Sequence, residues 1–243
     1  GSVLAKRHKN PNGFEGGWVA DSASVEPTCF IGYDAMVYGN ARVSDNARVY
    51  GYAKVFGNAM VYGNARVSGD AMVFGYAMVY GNARVSGNAI VSGDASVSDK
   101  AEVSGNARVH GNAVISQEMY VSFSTCEVDL TDPKNIRENI KAQTGLIASN
   151  KSLICFKQVN DDKSSFYDPY FKYTVNSWIE ALNVEYNNVS CTSGLHFSNA
   201  TYWENQCSNK TYLICRVNLE DIITVQFGKI RAKKCFVMEC IKY

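Results

Sequence analysis

Ala59-Met60-Val61-Tyr62-Gly63-Asn64 and the next six residues, Ala65-Arg66-Val67-Ser68-Gly69-Asp70, are two copies of one phrase. Units of this kind run without a break from Val19 to Val114 and decide the architecture of nearly half the chain. Strand side chains alternate in direction, so Ala65 and Val67 point to one side while Arg66 and Ser68 point to the other. Gly69-Asp70 then turns the corner, because Gly enters left-handed backbone angles without steric cost and Asn or Asp tolerates them better than other residues. One sharp corner every six residues builds a coil and not a hairpin, and a repeat of this length predicts a β-solenoid.

The repeat resembles the hexapeptide-repeat, left-handed parallel β-helix family. That resemblance implies three units per triangular coil of eighteen residues, with rungs stacked at roughly 4.8 Å. Folding the sequence at eighteen places Ala and Val inside and sorts the outward residues onto three faces. One collects Trp18, Met36, Tyr38, Phe56, Met72, Phe74 and Ile90, and a second Met60, Tyr62, Met78 and Tyr80. The third is polar, with Arg48, Tyr50, Arg66, Ser68, Arg84, Ser86, Glu102 and Ser104. Apolar surface costs about 25 cal/mol per Å² to leave in water, and patches of this extent mark interfaces. The expectation is a homotrimer that buries the first two faces, the assembly that the resembling family usually forms; cover by the chain's own C-terminal region is the alternative. On the third face, Arg48, Arg66 and Arg84 form either an anion ladder or side chains splayed into water above Glu102.

Composition divides the chain. Nearly all the Gly lies before residue 117, whereas seven of the eight Cys lie after 125. We expect a lead-in over 1–18, the solenoid over 19–116, a linker with a helix over 117–149 and an α+β domain over 150–243, in a mainly β protein. A net charge of +1 provides no global field towards nucleic acid or membranes. No stretch of about twenty apolar residues is present to span a bilayer. No Cys-x-x-Cys pair suggests a zinc site, and neither metal nor cofactor is expected. Gly1-Ser2 looks like an expression scar, no signal peptide follows it, and a cytoplasmic location with free thiols is expected. The sequons at Asn150, Asn188, Asn199 and Asn209 arise easily by chance in a chain rich in Asn and Ser.

Asp132-Pro133 followed by Ile136, Ile140 and Leu146 predicts a capped amphipathic helix. Apolar runs at Leu153–Val159, Tyr212–Val217, Ile222–Phe227 and Cys235–Ile241 predict strands, and 178–182 and 199–203 short helices. Most of the stretch 150–241 resembles an uncharacterised domain of phage and prophage proteins. The segments that carry the likeness are 155–159, 191–197, 218–222 and 229–235, from Cys155-Phe156-Lys157 to Lys233-Lys234-Cys235. The resemblance implies a viral or prophage origin, hence the cytoplasm of a host cell, and transfers no reaction.

Lys229, Arg231 and Lys233 alternate with Ile230 and Ala232, so one strand would present three cations on one face, with Arg216 and Lys157 in strands of the same sheet. Such a face is either a solvated edge or a phosphate site. His196 follows Gly194-Leu195 and is either structural or a base beside Tyr202 or Glu204. The expected protein is a non-enzymatic trimeric adaptor whose C-terminal domain binds a host protein or a small nucleotide-like anion through His196, Arg216, Lys229, Arg231 and Lys233. The alternatives are ADP-ribosyl-transfer-like nucleotide chemistry at His196, or acyl transfer of the kind many relatives of the solenoid perform. For the latter His110 is the only imidazole in the repeat, with no acid near it in sequence.

Overall fold

The computed structural model describes residues 4–117, 119–122, 125–127, 129–166, 168–182, 184, 194–204, 211–226 and 228–242. These form two compact units, Gly1–Glu138 and Asn139–Tyr243. The first is a parallel β-solenoid of about six turns. Two-residue strands such as Met72–Val73, Met78–Val79 and Arg84–Val85 follow one another around each coil. Each pairs in parallel with the strand eighteen residues on: Met72 with Ile90, Met78 with Ser96, Arg84 with Glu102. The interior Ala column from Ala35 to Ala113 is fully buried, as is the Val column save a trace at Val43. At about 1.5 kcal/mol or more for each buried Val, these rungs hold the coil together.

The corners explain the Gly. Gly57 has φ +71°, and a Cβ there would sit 3.0 Å from the Gly75 amide of the coil below, so both the angle and the stacking disfavour a larger residue. Asp45 and Asp99 take the same corner position at φ 58° and 56°. Each compensates by accepting the N–H of the next coil, Gly63 to Asp45 Oδ2 at 2.8 Å and Gln117 to Asp99 Oδ2 at 3.0 Å.

Both ends of the coil differ from the sequence expectation. The lead-in is an antiparallel hairpin, Ala5–Lys9 with Glu15–Ala20, and the second strand enters the solenoid sheet beside Met36–Val37. Within it Asn10 is buried, and its side-chain amide donates to Ile31 O at 3.0 Å and accepts from Ile31 N at 2.8 Å. A side chain thus replaces the strand that would otherwise pair with Phe30–Ile31. The six-residue period does not stop at Ser116. Met119-Tyr120-Val121-Ser122 occupies the next side, with Met119 in the Ala column and Val121 in the Val column. Thr125–Cys126 then pairs with Arg108–Val109 at a separation of seventeen, one residue short. The repeat lost its Gly-Asn letters there but kept its inward pattern.

The second unit is antiparallel. Ser152–Gln158, Thr211–Asn218, Lys234–Lys242 and Ser177–Glu180 lie side by side in that order, and Leu195–Phe197, Lys229–Ala232 and Ile222–Gln226 form a smaller sheet. Leu153, Cys155, Leu213, Cys215, Val217, Cys235 and Val237 are buried. The expected helix is a 3-10 turn, Pro133–Asn135, capped by the Asp132 carboxylate on Lys134 N at 2.9 Å, then Ile136–Thr144. Gly145 at φ 71° ends it, so Leu146 lies outside it. Ala200–Glu204 is the other short helix expected. Residues 178–182, expected to be helical, are instead a strand, Ser177–Glu180. Trp178 and Ile179 go to opposite faces opposite Phe236 and Cys235, because an open strand edge supplies partners that a five-residue helix lacks. Cys29, Cys126, Cys155, Cys215, Cys235 and Cys240 are free thiols, and Cys191 and Cys207 lie outside the described residues. No helix among the described residues is long and apolar enough to cross a membrane.

Candidate functional site

The basic strand Lys229–Ala232 is the middle strand of the small sheet, not an edge. Its alternation puts Lys229 and Arg231 on one face, and antiparallel pairing sets His196 directly opposite Arg231. Arg231 is 2% exposed. Its stem lies over Gly194, where a Cβ would come within 3.0 Å of Arg231 Cγ at a backbone φ of +143°. Gly194 is therefore required on two counts, and the sequence signal for it was present in the Gly194-Leu195-His196 step.

Two expected members fall away. Lys233 lies beyond the strand and its Nζ pairs with Asp221 at 3.5 Å, so it is a structural ion pair. Arg216 belongs to the other sheet, outward, with its guanidinium 5.6 Å from the Trp178 ring and 5.2 Å from Phe236. The single-sheet, three-cation face is thus corrected: the intervening chain folds 216 and 229 into different sheets. Lys157, which the sequence pointed to only as a neighbour, comes from the larger sheet. It is 7% exposed, its Nζ donates to His196 O at 3.4 Å and lies 5.2 Å from the Tyr173 ring. Among the described residues Lys157 forms no salt bridge.

Three cations therefore surround one imidazole. Burial, then the charges of Lys157, Lys229 and Arg231, push the His196 pKa down to about 4. Its Nε2 is buried without a hydrogen-bond partner among the described residues. Burial likewise pushes the Lys157 ammonium down to about 8, partly opposed by the thiols of Cys215, Cys235 and Cys155. Tyr173 and Cys155 are pushed up by burial and stay protonated. A neutral imidazole ringed by ammonium and guanidinium groups is a poor base at neutral pH but a good place for negative charge. Of the partners expected for His196, the Tyr202 ring packs edge-on against Trp203 at 5.1 Å. The Glu204 side chain lies outside the described residues. Asn199 holds the adjoining helix with both ends of its amide, donating to Thr144 O at 2.6 Å and accepting from Tyr202 N at 2.7 Å. Asn188 and Asn209 lie outside the described residues.

On the solenoid the expected interface residues do form columns. Tyr38, Phe56 and Phe74 stack at 4.8 Å intervals and Tyr62 on Tyr80 at 5.0 Å, with half-buried Met60, Met72 and Met78 in the register columns alongside. Trp18 and Met36 are 44% and 40% exposed. The wall is not wholly apolar, since Lys54 stands in register between Met36 and Met72. His110 has an acid after all: Glu127, from the following coil, lies 3.3 Å away. Seventeen residues separate them in sequence, which is why the pairing was hidden. Both side chains are open to solvent, at 39% and 66%, as in a surface ion pair.

A family model described as the YdcK beta solenoid repeat matches residues 35–51, 41–55, 65–81, 77–93, 83–99 and 101–117. Every one of these starts falls on an Ala of the interior column, so the likeness follows the six-residue unit. No curated protein and no solved structure matches the chain.

Proposed function

We propose that this chain is a non-catalytic binding protein, with the solenoid holding three copies together and the C-terminal unit taking an anionic ligand. The observation that carries it is the convergence of Lys157, Lys229 and Arg231 on a neutral His196 whose Nε2 has no partner among the described residues. Burying a lysine without a carboxylate is costly, and an incoming phosphate would relieve that cost while taking charge-assisted hydrogen bonds. A small phosphorylated compound of nucleotide type is the ligand expected, and an acidic side chain on a host protein is the macromolecular counterpart. Enzymatic use of His196 is disfavoured, since an imidazole that holds its proton only below about 4 removes protons poorly. The resemblance of residues 150–241 to phage and prophage domains supports a setting inside a host cell.

Trimerisation rests on the two adjoining faces that carry Trp18, Met36, Tyr38, Phe56, Met72 and Phe74 on one side and Met60, Tyr62, Met78 and Tyr80 on the other. Light scattering on a sizing column is expected to give three times 26.8 kDa. Phe56→Glu with Phe74→Glu is expected to shift the mass to one chain by placing unpaired charge in the contact. A wild-type monomer at micromolar concentration overturns the assembly.

Calorimetric titration with ADP, ATP and inorganic phosphate tests the ligand. Saturable binding that weakens tenfold or more in Lys157→Met and in Lys229→Gln, with a flatter salt dependence, is the expected result. No binding of any of the three by the folded wild type overturns the anion site, and turnover that vanishes in His196→Gln overturns the non-catalytic assignment.

A further inference from the structure

Asn-Gly occurs once in the chain, at Asn12-Gly13. It forms the tip of the lead-in hairpin between Ala5–Lys9 and Glu15–Ala20, where Pro11, Asn12, Gly13 and Phe14 are all exposed. Gly13 has φ +84°, and a Cβ there would meet nothing within 4 Å, so the space beside its amide is open to water. The Asn12 side chain folds back over that amide, for its Oδ1 accepts the Phe14 N–H at 3.2 Å and so brackets the Gly13 peptide. The same N–H is placed to stabilise negative charge arriving on Oδ1. Other asparagines lack this setting. The corner residues, such as Asn58 before Ala59 and Asn88 before Ala89, precede an Ala of the fully buried interior column, so the neighbouring nitrogen lies inside the solenoid. Their amides also form ladders, Asn40 donating to Asn58 Oδ1 at 3.3 Å and Asn88 to Asn106 Oδ1 at 3.1 Å. Asn10 precedes Pro11, whose nitrogen carries no proton. Asn199 has both ends of its amide engaged.

From this geometry we infer that Asn12 is a site of spontaneous modification, converting to aspartate and isoaspartate, and that the isoaspartate loosens the clip between the lead-in hairpin and the solenoid. The Gly13 nitrogen gives up its proton to hydroxide and attacks Asn12 Cγ, and the side-chain nitrogen leaves as ammonia. Water then opens the five-membered imide at either carbonyl. One opening leaves aspartate on an ordinary backbone, and the other leaves isoaspartate, with one more methylene in the main chain. Two bonds shape the tip, Gly13 N to Asn10 O at 2.8 Å and Asn10 N to Phe14 O at 3.0 Å, and both are spaced for the shorter backbone. The first must open before the Gly13 nitrogen reacts, and exposed loop tips are where such opening is easiest. Both bonds hold Asn10, whose buried amide closes Ile31 N and O. Isoaspartate therefore acts on the clip, whereas aspartate adds only an exposed charge. This inference rests on the hairpin alone and depends on neither the proposed ligand nor the proposed assembly.

The test is incubation of the full chain in mildly alkaline buffer, with peptide mapping by mass spectrometry at intervals and isoaspartyl methyltransferase labelling of the same peptides. Asn12 is expected to convert several-fold faster than any other asparagine, with isoaspartate the larger product. The isoaspartate fraction, separated from fresh protein by its added negative charge, is expected to melt at a lower temperature, while Asn12→Asp melts with the wild type. Gly13→Ala is expected to slow conversion by about tenfold, because a Cβ crowds the attacking nitrogen. Should that variant misfold, the wild-type time course decides by itself. An intact Asn12 after prolonged incubation, another asparagine converting as fast, or an isoaspartate fraction that melts like fresh protein overturns the inference.

Discussion

The two units solve the same problem of burying a core by opposite means. In the solenoid every rung repeats its neighbour, so each interior Ala and Val meets its own kind eighteen residues on, and no titratable side chain lies inside the repeat from Ala35 to Ala113. The C-terminal unit pairs strands far apart in the chain, Cys155 opposite Cys215 for instance, and carries Lys157, Arg231 and three thiols in its interior. Uniform apolar rungs leave the first unit nothing to do except on its outer faces. The second retains polar groups where they destabilise it, and the proposed anion site rests on them.

A charge inside the solenoid should break this contrast most severely. Val67→Asp puts an unpaired carboxylate where the exposure is 0%, and the expected loss is about 4 kcal/mol or more. Chemical denaturation followed by Trp18 emission for the first unit, and by Trp178 and Trp203 for the second, is expected to show the damage in the first; equal loss at both would mean that the units unfold together.

Acid should act on the other unit. The His196 pKa is depressed to about 4 in the folded chain against 6.5. Between these values the unfolded chain binds the proton that the folded one refuses, so stability is full above 6.5 and falls as pH drops towards 4. The loss is on the order of 3 kcal/mol. His196→Gln is expected to flatten that slope in denaturation midpoints measured across the window, and an unchanged slope would assign the acid sensitivity elsewhere.

Smaller effects sharpen the picture of the solenoid's ends. Asn10→Ala leaves Ile31 N and O without their side-chain partners, at an expected cost of about 1 to 3 kcal/mol, seen as a lower melting temperature for the first unit. His110→Ala removes only an exposed pair with Glu127 and is expected to cost under about 1 kcal/mol. Acetyl-CoA turnover that disappears in this variant would reopen acyl transfer.

Sequence legibility followed the same divide. Ala, Val and Gly at fixed spacing specify direction, burial and corner angle locally, so the coil is legible in the order of residues alone, and the faces and the register of Arg48, Arg66 and Arg84 follow once the family resemblance supplies three units per turn. The readings that failed needed a partner from elsewhere. Met119-Tyr120-Val121-Ser122 keeps the inward pattern without the Gly-Asn letters, Trp178-Ile179 becomes a strand because Phe236 and Cys235 are there to pair with it, and Glu127 reaches His110 only because a coil returns to the same place. The basic site shows it most plainly. Alternation in Lys229-Ile230-Arg231-Ala232 determined that Lys229 and Arg231 share a face, since that follows from strand geometry alone. Only the tertiary structure decided that Arg216 and Lys233 are elsewhere, that Lys157 joins His196, and that Lys157 and Arg231 are buried while His196 and Lys229 are half-buried. Pairing between distant strands sets burial and charge proximity, and no local periodicity encodes it.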